Sequence, residues 1–450
     1  MRWHTVLWWL LVLQAYVAIP GIGSSLWSWQ SAFDYERLLA GWVPGETVPP
    51  LLTGVSYWRE RWPDWVVEGI EGLCAKTVRW GGNDLDRRFR DLEDVVRFAS
   101  IASRCGLVPI VQVNMARGSP EQAAEWVREV VVEHGFEIPF WSIGNEPDLW
   151  PYQGWRKVSP EEYVREWRDF ARHIKEAVPT VRLVGPDISL APFRSLDDPD
   201  HQAARWLRAF LAEDGDLVNV VSVHWYPFRG NETDIALLLG EPRLFTERMT
   251  RLRELVRELT GREIPVAVTE TNLTWNWKAH GPAAGDSIFA GLRLAEIYGR
   301  AAQVGLLTVN TWSTWGDNTL SLFGWFESTP PRPTYYALLA YKGFAGRLVP
   351  CGSELNTVAS FCSYSEVDRS LHLVVVNKGD MSLRMELVPH VTVGGGIGSV
   401  ALEVAEEGGI VLPPYSIASL VFDPVNRGVS GWIYDGESGQ QSVGEGSVSH

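Results

Sequence analysis

Between residues 51 and 346 the sequence switches eight times from a short apolar run to a helix-patterned one, and few folds accommodate that rhythm. Val55-Ser56-Tyr57-Trp58, Thr77-Val78-Arg79-Trp80, Leu107 to Val113, Ile138 to Ile143, Arg182 to Gly185, Val218 to Val223, Ile264 to Thr269 and Leu306 to Trp312 have the length and apolar content of buried strands. Helical spacing is read over Pro63 to Leu73, Leu85 to Ser103, His201 to Ala212, Phe245 to Leu259, Asp286 to Gln303 and Pro333 to Phe344. Ser119-Pro120-Glu121 and Ser159-Pro160-Glu161 each read as a serine cap with proline in the first helical position. Eight such units predict an α/β fold, a closed (β/α)8 TIM barrel. A doubly wound open sheet also alternates, but no glycine-rich phosphate turn follows the first strand, and Gly81-Gly82 is only a two-glycine turn.

At 450 residues the chain exceeds what one core usually serves. From Arg347 the texture changes to short alternating runs, among them Leu371 to Asn377, Met385 to Val393, Ser399 to Val404 and Ile417 to Phe422. They predict a C-terminal antiparallel β-sandwich over 347–424, with 51–346 the barrel. Residues 425–450, rich in Gly, Ser and Glu, are expected to be a disordered tail. Residues 24–50 resist assignment and are expected to lend a strand to the sandwich. The first 23 residues, with Arg2 before an apolar run from Thr5 to Ile19, read as a signal peptide or an uncleaved N-terminal anchor, so the protein is expected to be secreted. Export permits disulfides. Cys351 and Cys362 would staple a hairpin, and Cys74 and Cys105 precede neighbouring strands; four cysteines allow three pairings, and none has metal-site spacing.

A net charge of −15 argues against nucleic acid, against anionic membrane surfaces and against a polyanionic substrate. The unusual quantity is 23 Trp. Cores absorb most tryptophans, yet an excess also suits a protein that stacks flat apolar faces, sugar rings among them. No metal and no cofactor is expected.

In a barrel of this kind the working residues stand where strands end. Ile138 to Ile143 runs into Gly144-Asn145-Glu146-Pro147, and Pro147 is expected to bias Glu146 towards extended backbone and to stop pairing there. Ile264 to Thr269 runs into Glu270. Two carboxylates at the ends of separate strands are what retaining sugar hydrolysis requires, at about 5–5.5 Å. Such chemistry needs one acid that delivers a proton and one carboxylate kept charged. Arg79, ending the second strand, and Tyr226, ending the sixth, are placed to donate to Glu270. Asn145 is placed to hydrogen-bond the sugar's 2-hydroxyl. His224 and Tyr226 lie two apart and so share a face, as do Asn310 and Trp312, with Trp312 expected to floor the sugar subsite nearest the cleavage point. Singly, each has an ordinary structural counterpart: a satisfied histidine, a surface ion pair of Arg79 with Asp84 or Asp86, a core tryptophan. Their convergence on five strand ends of one cavity is the signal.

Asn145-Glu146-Pro147, His224-Trp225-Tyr226 and Glu270 resemble the retaining glycoside hydrolases of clan A, over about residues 51–349, and the trailing sandwich is typical of them too. Within the clan, Arg79-Trp80-Gly81-Gly82-Asn83, Asn145-Glu146-Pro147-Asp148-Leu149-Trp150 and His224-Trp225-Tyr226-Pro227 are most similar to glycoside hydrolase family 44, which contains endoglucanases. The first two motifs also resemble family 79, which cleaves uronic-acid-containing chains, and the layout resembles family 39. The likeness implies Glu146 as acid/base and Glu270 as nucleophile, and an endo-β-1,4-glucanase-like activity on a poly- or oligosaccharide. The alternatives are an exo-acting β-glucuronidase- or β-xylosidase-like enzyme and a non-catalytic carbohydrate-binding barrel. One departure is Thr269-Glu270-Thr271-Asn272, where family 44 tends to place an aromatic after the Glu.

Overall fold

The computed structural model describes residues 34–58, 62–73, 75–87, 91–190, 195–198, 200–391, 397–405, 409–423 and 428–447. The expected signal or anchor over 1–23 lies outside them. By contacts the chain divides into two units, 1–40 and 41–450. In the first, Tyr35–Leu39 forms one helix turn capped by Asp34. All that follows concerns the second. No helix among the described residues is long and apolar enough to cross a membrane.

Eight parallel strands close into a barrel in sequential order: β1 (Thr53–Tyr57), β2 (Thr77–Trp80), β3 (Val108–Val113), β4 (Phe140–Ile143), β5 (Arg182–Leu190), β6 (Val220–Trp225), β7 (Val266–Thr271) and β8 (Val309–Thr311). Helices pack outside, and their starts are fixed as the sequence implies. Ser119 and Ser159 form capping boxes with Gln122 and Glu162. Each outer helix turns an apolar face to the sheet, as with Tyr163, Val164, Trp167, Phe170 and Ile174 on Pro160–Ala177. Trp80, Trp141, Trp150, Trp167 and Trp225 are fully buried in that layer. Asn310, expected at the mouth beside Trp312, instead points into the barrel. Its amide donates to the Val55 carbonyl and to Thr77 Oγ1, satisfying buried polar groups within the interior layers.

Three local expectations are corrected. The helix after β2 is two helices, Asn83–Arg87 and Leu92–Arg104, the second restarted by the Asp91 cap. The helix after β6 runs from Ile235 to Thr260 and contains Pro242, which is not its boundary. Glu241 beside it is buried, accepting from Trp225 Nε1 at 2.6 Å and from Arg293, and these contacts outweigh the proline's local cost. Strand β5 does not stop at Gly185: a bulge between Pro186 and Ile188 absorbs the proline and pairing with β6 resumes to Leu190.

Residues from Arg347 onward form two sheets. The six-stranded one has the order β18-β17-β16-β12-β11-β9, built from β9 (Arg347–Val349), β11 (Val358–Ser365), β12 (Ser370–Asn377), β16 (Ser416–Asp423), β17 (Gly428–Asp435) and β18 (Gly439–Ser447). The four-stranded one has the order β10-β14-β13-β15, from β10 (Cys351–Ser353), β13 (Leu383–Val391), β14 (Ile397–Val404) and β15 (Ile410–Leu412). Pairing is antiparallel except between β10 and β14. The Cys351–Cys362 disulfide joins β10 to β11 and so ties the two sheets together, where a hairpin staple was expected. Cys74 lies outside the described residues. Cys105 is a free thiol within reach of the Val67 carbonyl.

The expected disordered tail is a hairpin. β17 continues the sheet from β16 and β18 closes its edge, so backbone pairing orders a segment poor in apolar side chains. Tyr434 stacks on Tyr336 of the last barrel helix, centroids 3.8 Å apart at 13°, with Trp432 beside it. The segment before the barrel gives an isolated bridge rather than a strand: Thr47 pairs with Arg347 at the edge of β9. Barrel and sandwich meet through packing and charge. Phe361 fills the space a side chain at Gly299 would need, and Lys378 pairs with buried Glu296 at 2.9 Å.

Candidate active site

The ends of β2, β4, β5, β6 and β7 converge on one polar cluster at the C-terminal mouth of the barrel. Glu146 follows β4 and Glu270 lies in β7. One carboxylate oxygen of each, together with a ring nitrogen of His224, lie within 4.8 Å of one another. Such proximity of their nearest atoms suits a retaining pair, whose carboxyl groups stand about 5–5.5 Å apart, better than the roughly 6.5–9.5 Å that leaves room for an inverting water.

Glu270 is held from both sides. Arg79 Nη1 donates to Oε1 at 2.6 Å, and the Tyr226 hydroxyl donates to Oε2 at 2.9 Å. Burial raises Tyr226 well above its ordinary value, and the negative charges of Glu270 and Glu146 add to it, so the phenol remains a donor. Arg79 is fully buried. Burial alone would weaken its charge, but Asp187 and Glu270 more than offset this and leave it raised. Its Nη2 also donates to Asn145 Oδ1 at 2.9 Å, and Asn145 passes a hydrogen bond on to Asn83 Oδ1 at 3.1 Å.

Glu146 is half-buried beside His224, whose Nδ1 lies 3.0 Å from Oε1 of Glu146 and 3.7 Å from Oε2 of Glu270. Burial disfavours the imidazolium, but Glu270 and then Glu146 outweigh it, and His224 is raised overall. The backbone of Glu146 departs from expectation: at φ 43° and ψ 52° it is left-handed, not extended. Proline restricts the preceding residue against the right-handed helical region, which leaves this basin open. Two hydrogen bonds fix it there. The Glu146 N–H donates to the Asp187 carbonyl at 2.9 Å, and the Glu146 carbonyl accepts from Leu149 as Pro147–Leu149 turns. A non-glycine residue held in this region at a working position is strain that the surroundings must over-determine.

Trp312 follows β8 and stands against the β2 loop. A side chain at Gly82, itself at φ 98°, would come within 2.9 Å of the Trp312 ring and 3.7 Å of Glu270 Oε1. The two-glycine turn thus makes room for the indole beside the carboxylate. Trp58 meets Trp312 at 6.0 Å between centroids. All seven residues singled out in the sequence, Arg79, Asn145, Glu146, His224, Tyr226, Glu270 and Trp312, lie in this region. Sequence reasoning missed Asp187, which is buried beneath the cluster and bonded to Arg79 Nη2 at 3.0 Å. Glu146, His224 and Glu270 are the group with metal-ligand proximity among the described residues. Both Glu270 oxygens already accept hydrogen bonds and a guanidinium abuts one of them, an arrangement that suits a held carboxylate better than a cation ligand.

The family model for glycosyl hydrolases family 39 matches residues 125–305, the stretch that carries Glu146, His224 and Glu270. With the closed barrel and trailing sandwich, it makes the chain an O-glycosyl hydrolase of clan A, an enzyme with a carbohydrate substrate. Several solved structures share the fold. One is AbfB, a family 51 α-L-arabinofuranosidase from Bifidobacterium longum, at 16% identity and TM-score 0.61 over 84% of this chain and 96% of that one. CelM2, a bifunctional glucanase-xylanase from a metagenome library, matches at 16% and TM-score 0.60 over 84% and 97%. A Paenibacillus polymyxa xyloglucanase of glycoside hydrolase family 44 matches at 14% and TM-score 0.57 over 84% and 97%. No curated protein sequence matches the chain.

Proposed function

We propose that the protein is a retaining β-glycosidase that cleaves a neutral β-linked polysaccharide, with endo-β-1,4-glucanase-like action, by double displacement. The observation that carries this reading is the carboxylate pair of Glu146 and Glu270, within 4.8 Å across the barrel mouth. In the first step Glu270 attacks the anomeric carbon while Glu146 gives its proton to the departing glycosidic oxygen. The C–O bond to the leaving group breaks as the glycosyl–Glu270 ester forms. In the second step Glu146, now a carboxylate, takes a proton from water as the water's oxygen displaces Glu270, and configuration is retained. Arg79 and Tyr226 hold Glu270 charged and aimed. Asn145, held by Arg79 and Asn83, is assigned to the 2-hydroxyl, a contact that strengthens as positive charge builds on the sugar ring.

Neutral substrate chemistry is supported by what lines the mouth. Among the described residues Arg79 is the one guanidinium bonded to the pair, and it is already shared with Asp187 and Asn145. Arg117 and Arg229 lie exposed on loops. The loops after β7 and β8 instead expose large aromatics: Trp275 at 59%, Trp277 at 54%, Trp325 at 40% and Phe326 at 67%. These loops are stiffened against each other. Thr319 donates through its N–H and its hydroxyl to the Trp277 carbonyl, and the Asn272 amide donates to the carbonyls of Trp312 and Leu320. Trp315 and Trp325 stack at 4.6 Å and 10°. Rigid exposed rings offer platforms for sugar faces by dispersion, with no charge required. The glucanase-xylanase and xyloglucanase among the structural neighbours bear names for enzymes of such polymers. The Cys351–Cys362 disulfide suits an exported enzyme that meets them outside the cell.

The test is the purified protein against β-glucans, xylan, mannan, aryl β-glycosides and a glucuronide, with product sizes measured. Shortening of a neutral β-glucan to oligosaccharides is expected. Release of uronic acid from the glucuronide with no cleavage of a neutral polymer contradicts the reading.

A further inference from the structure

Asp187 touches four other strand ends at once. Its Oδ2 accepts from Arg79 Nη2 at 3.0 Å, on β2, and its Oδ1 accepts from the Thr269 hydroxyl at 2.5 Å, on β7. Its N–H donates to Ser222 Oγ at 3.2 Å, on β6, and its carbonyl accepts from the N–H of Glu146 at 2.9 Å, after β4. The side chain is fully buried and the backbone sits at φ 52°, a left-handed conformation that Asp and Asn tolerate best among residues with a side chain. A buried carboxylate is costly unless paired. Burial pushes Asp187 up, but Arg79 and then His224 outweigh it, so it lies below its ordinary range and is ionised.

Two effects follow. Arg79 Nη2 is pinned between Asp187 and Asn145, which fixes the plane of the guanidinium and leaves Nη1 aimed at Glu270. His224 is fully buried, and its Nε2 has no hydrogen-bond partner among the described residues; it faces Asp187 Oδ1 at 3.9 Å, too long for a hydrogen bond but close in Coulomb terms. The other charged or titratable groups around this pair among the described residues are Glu146 and Glu270 at His224 Nδ1, Arg79, Asp148, Tyr226 on Glu270, and Tyr163, whose hydroxyl donates to the Pro186 carbonyl at 3.3 Å.

We propose that Asp187 is a positioning residue for the double displacement: it locks Arg79 against Glu270 and supplies the counter-charge behind His224, on the face opposite Glu146. The first half rests on the retaining reading given above; the second does not depend on any substrate.

The decisive variant is Asp187→Asn, which keeps size and tolerance of the left-handed backbone. Its amide oxygen can accept from Arg79 and its NH2 can donate to Thr269, so only the charge is lost. In protein labelled with 15N on histidine, with the His224 signal assigned by its disappearance in His224→Gln, the protonation midpoint of His224 is expected to fall by about one pH unit. Loss of the carboxylate and release of Arg79's field act in the same direction. On an aryl β-glycoside that the wild type cleaves, kcat/KM is expected to fall about ten- to hundredfold, mainly in kcat. Asp187→Ser, which leaves space for water, is the second variant and is expected to move the midpoint the same way. A His224 midpoint that stays in place in either folded variant overturns the proposal. A lowered midpoint in a protein whose wild type cleaves no β-glycoside upholds the counter-charge and defeats the retaining reading instead.

Discussion

Tyr226 and Glu270 are joined by a hydrogen bond of 2.9 Å from the phenol to Oε2, on the side of the carboxylate opposite Arg79. The bond is made by a residue just past the end of β6 to one in the next strand, so the barrel itself sets its geometry. A hydrogen bond to an ionised group contributes about 1.5–3 kcal/mol. Tyr226→Phe is therefore expected to lower kcat/KM about ten- to hundredfold on any substrate the enzyme cleaves. Folding should be nearly unaffected, because the ring is kept. Kinetics on an aryl β-glycoside, beside a melting curve, check both parts. An unchanged kcat/KM would show that Arg79 alone holds the carboxylate.

Asp148 lies two residues beyond Glu146 and is buried. Burial, and next the negative charge of Glu146, push it up to about 8. The sign of its effect on stability follows. In the unfolded chain an aspartate titrates near 3.9, so between about pH 4 and pH 8 the folded state holds a proton that the unfolded state has released. Its contribution is full below about pH 4 and is lost as pH rises towards 8. Asp148→Asn removes the ionisation while leaving an oxygen for the Ser189 N–H. Its melting temperature, relative to wild type, is expected to rise on the order of a few degrees between pH 5 and pH 8.5. A difference that stays constant over that range would contradict it.

The exposed rings on the loops after β7 and β8 should act on long substrates alone. Trp275→Ala and Trp277→Ala are each expected to reduce kcat/KM on a β-glucan about three- to tenfold, by loss of ring stacking, and to leave small aryl glycosides untouched. Because dispersion is not screened, binding of neutral oligosaccharides should barely change between low and high salt. Equal losses on long and short substrates would place these tryptophans elsewhere in the enzyme's work.

How far the sequence reached can be read at three places. Glu146, Glu270, Arg79 and Tyr226 were legible because a strand's end is a local signal: an apolar run stops at a polar residue, and the barrel carries that residue to the mouth. Asp187 was not legible. Gly185-Pro186 reads as the end of a strand, and nothing local announces that a bulge lets pairing resume and turns the carboxylate inward beneath Arg79. The C-terminal hairpin was hidden for a related reason. Its Gly, Ser and Glu content describes what the side chains cannot bury, whereas β17 and β18 are ordered by backbone bonds to β16 and by the stacking of Tyr434 on Tyr336, both long-range. The left-handed Glu146 belongs with these, since the Asp187 carbonyl that fixes it comes from another strand.

The assignment of roles to Glu146 and Glu270 is tested most directly by azide rescue of the two alanine variants on an aryl β-glycoside with a good leaving group. Such a leaving group needs no proton, so Glu146→Ala should still form the glycosyl ester and stall at its hydrolysis, while Glu270→Ala should be inactive without added nucleophile. Azide, entering where the missing base stood, should then restore turnover of Glu146→Ala and give the β-glycosyl azide. Azide should also turn over Glu270→Ala, entering from the face the nucleophile occupied and giving the α-glycosyl azide by a single inversion. A β-azide from Glu146→Ala is the result this account predicts; a β-azide from Glu270→Ala with an α-azide from Glu146→Ala would reverse the roles and contradict it.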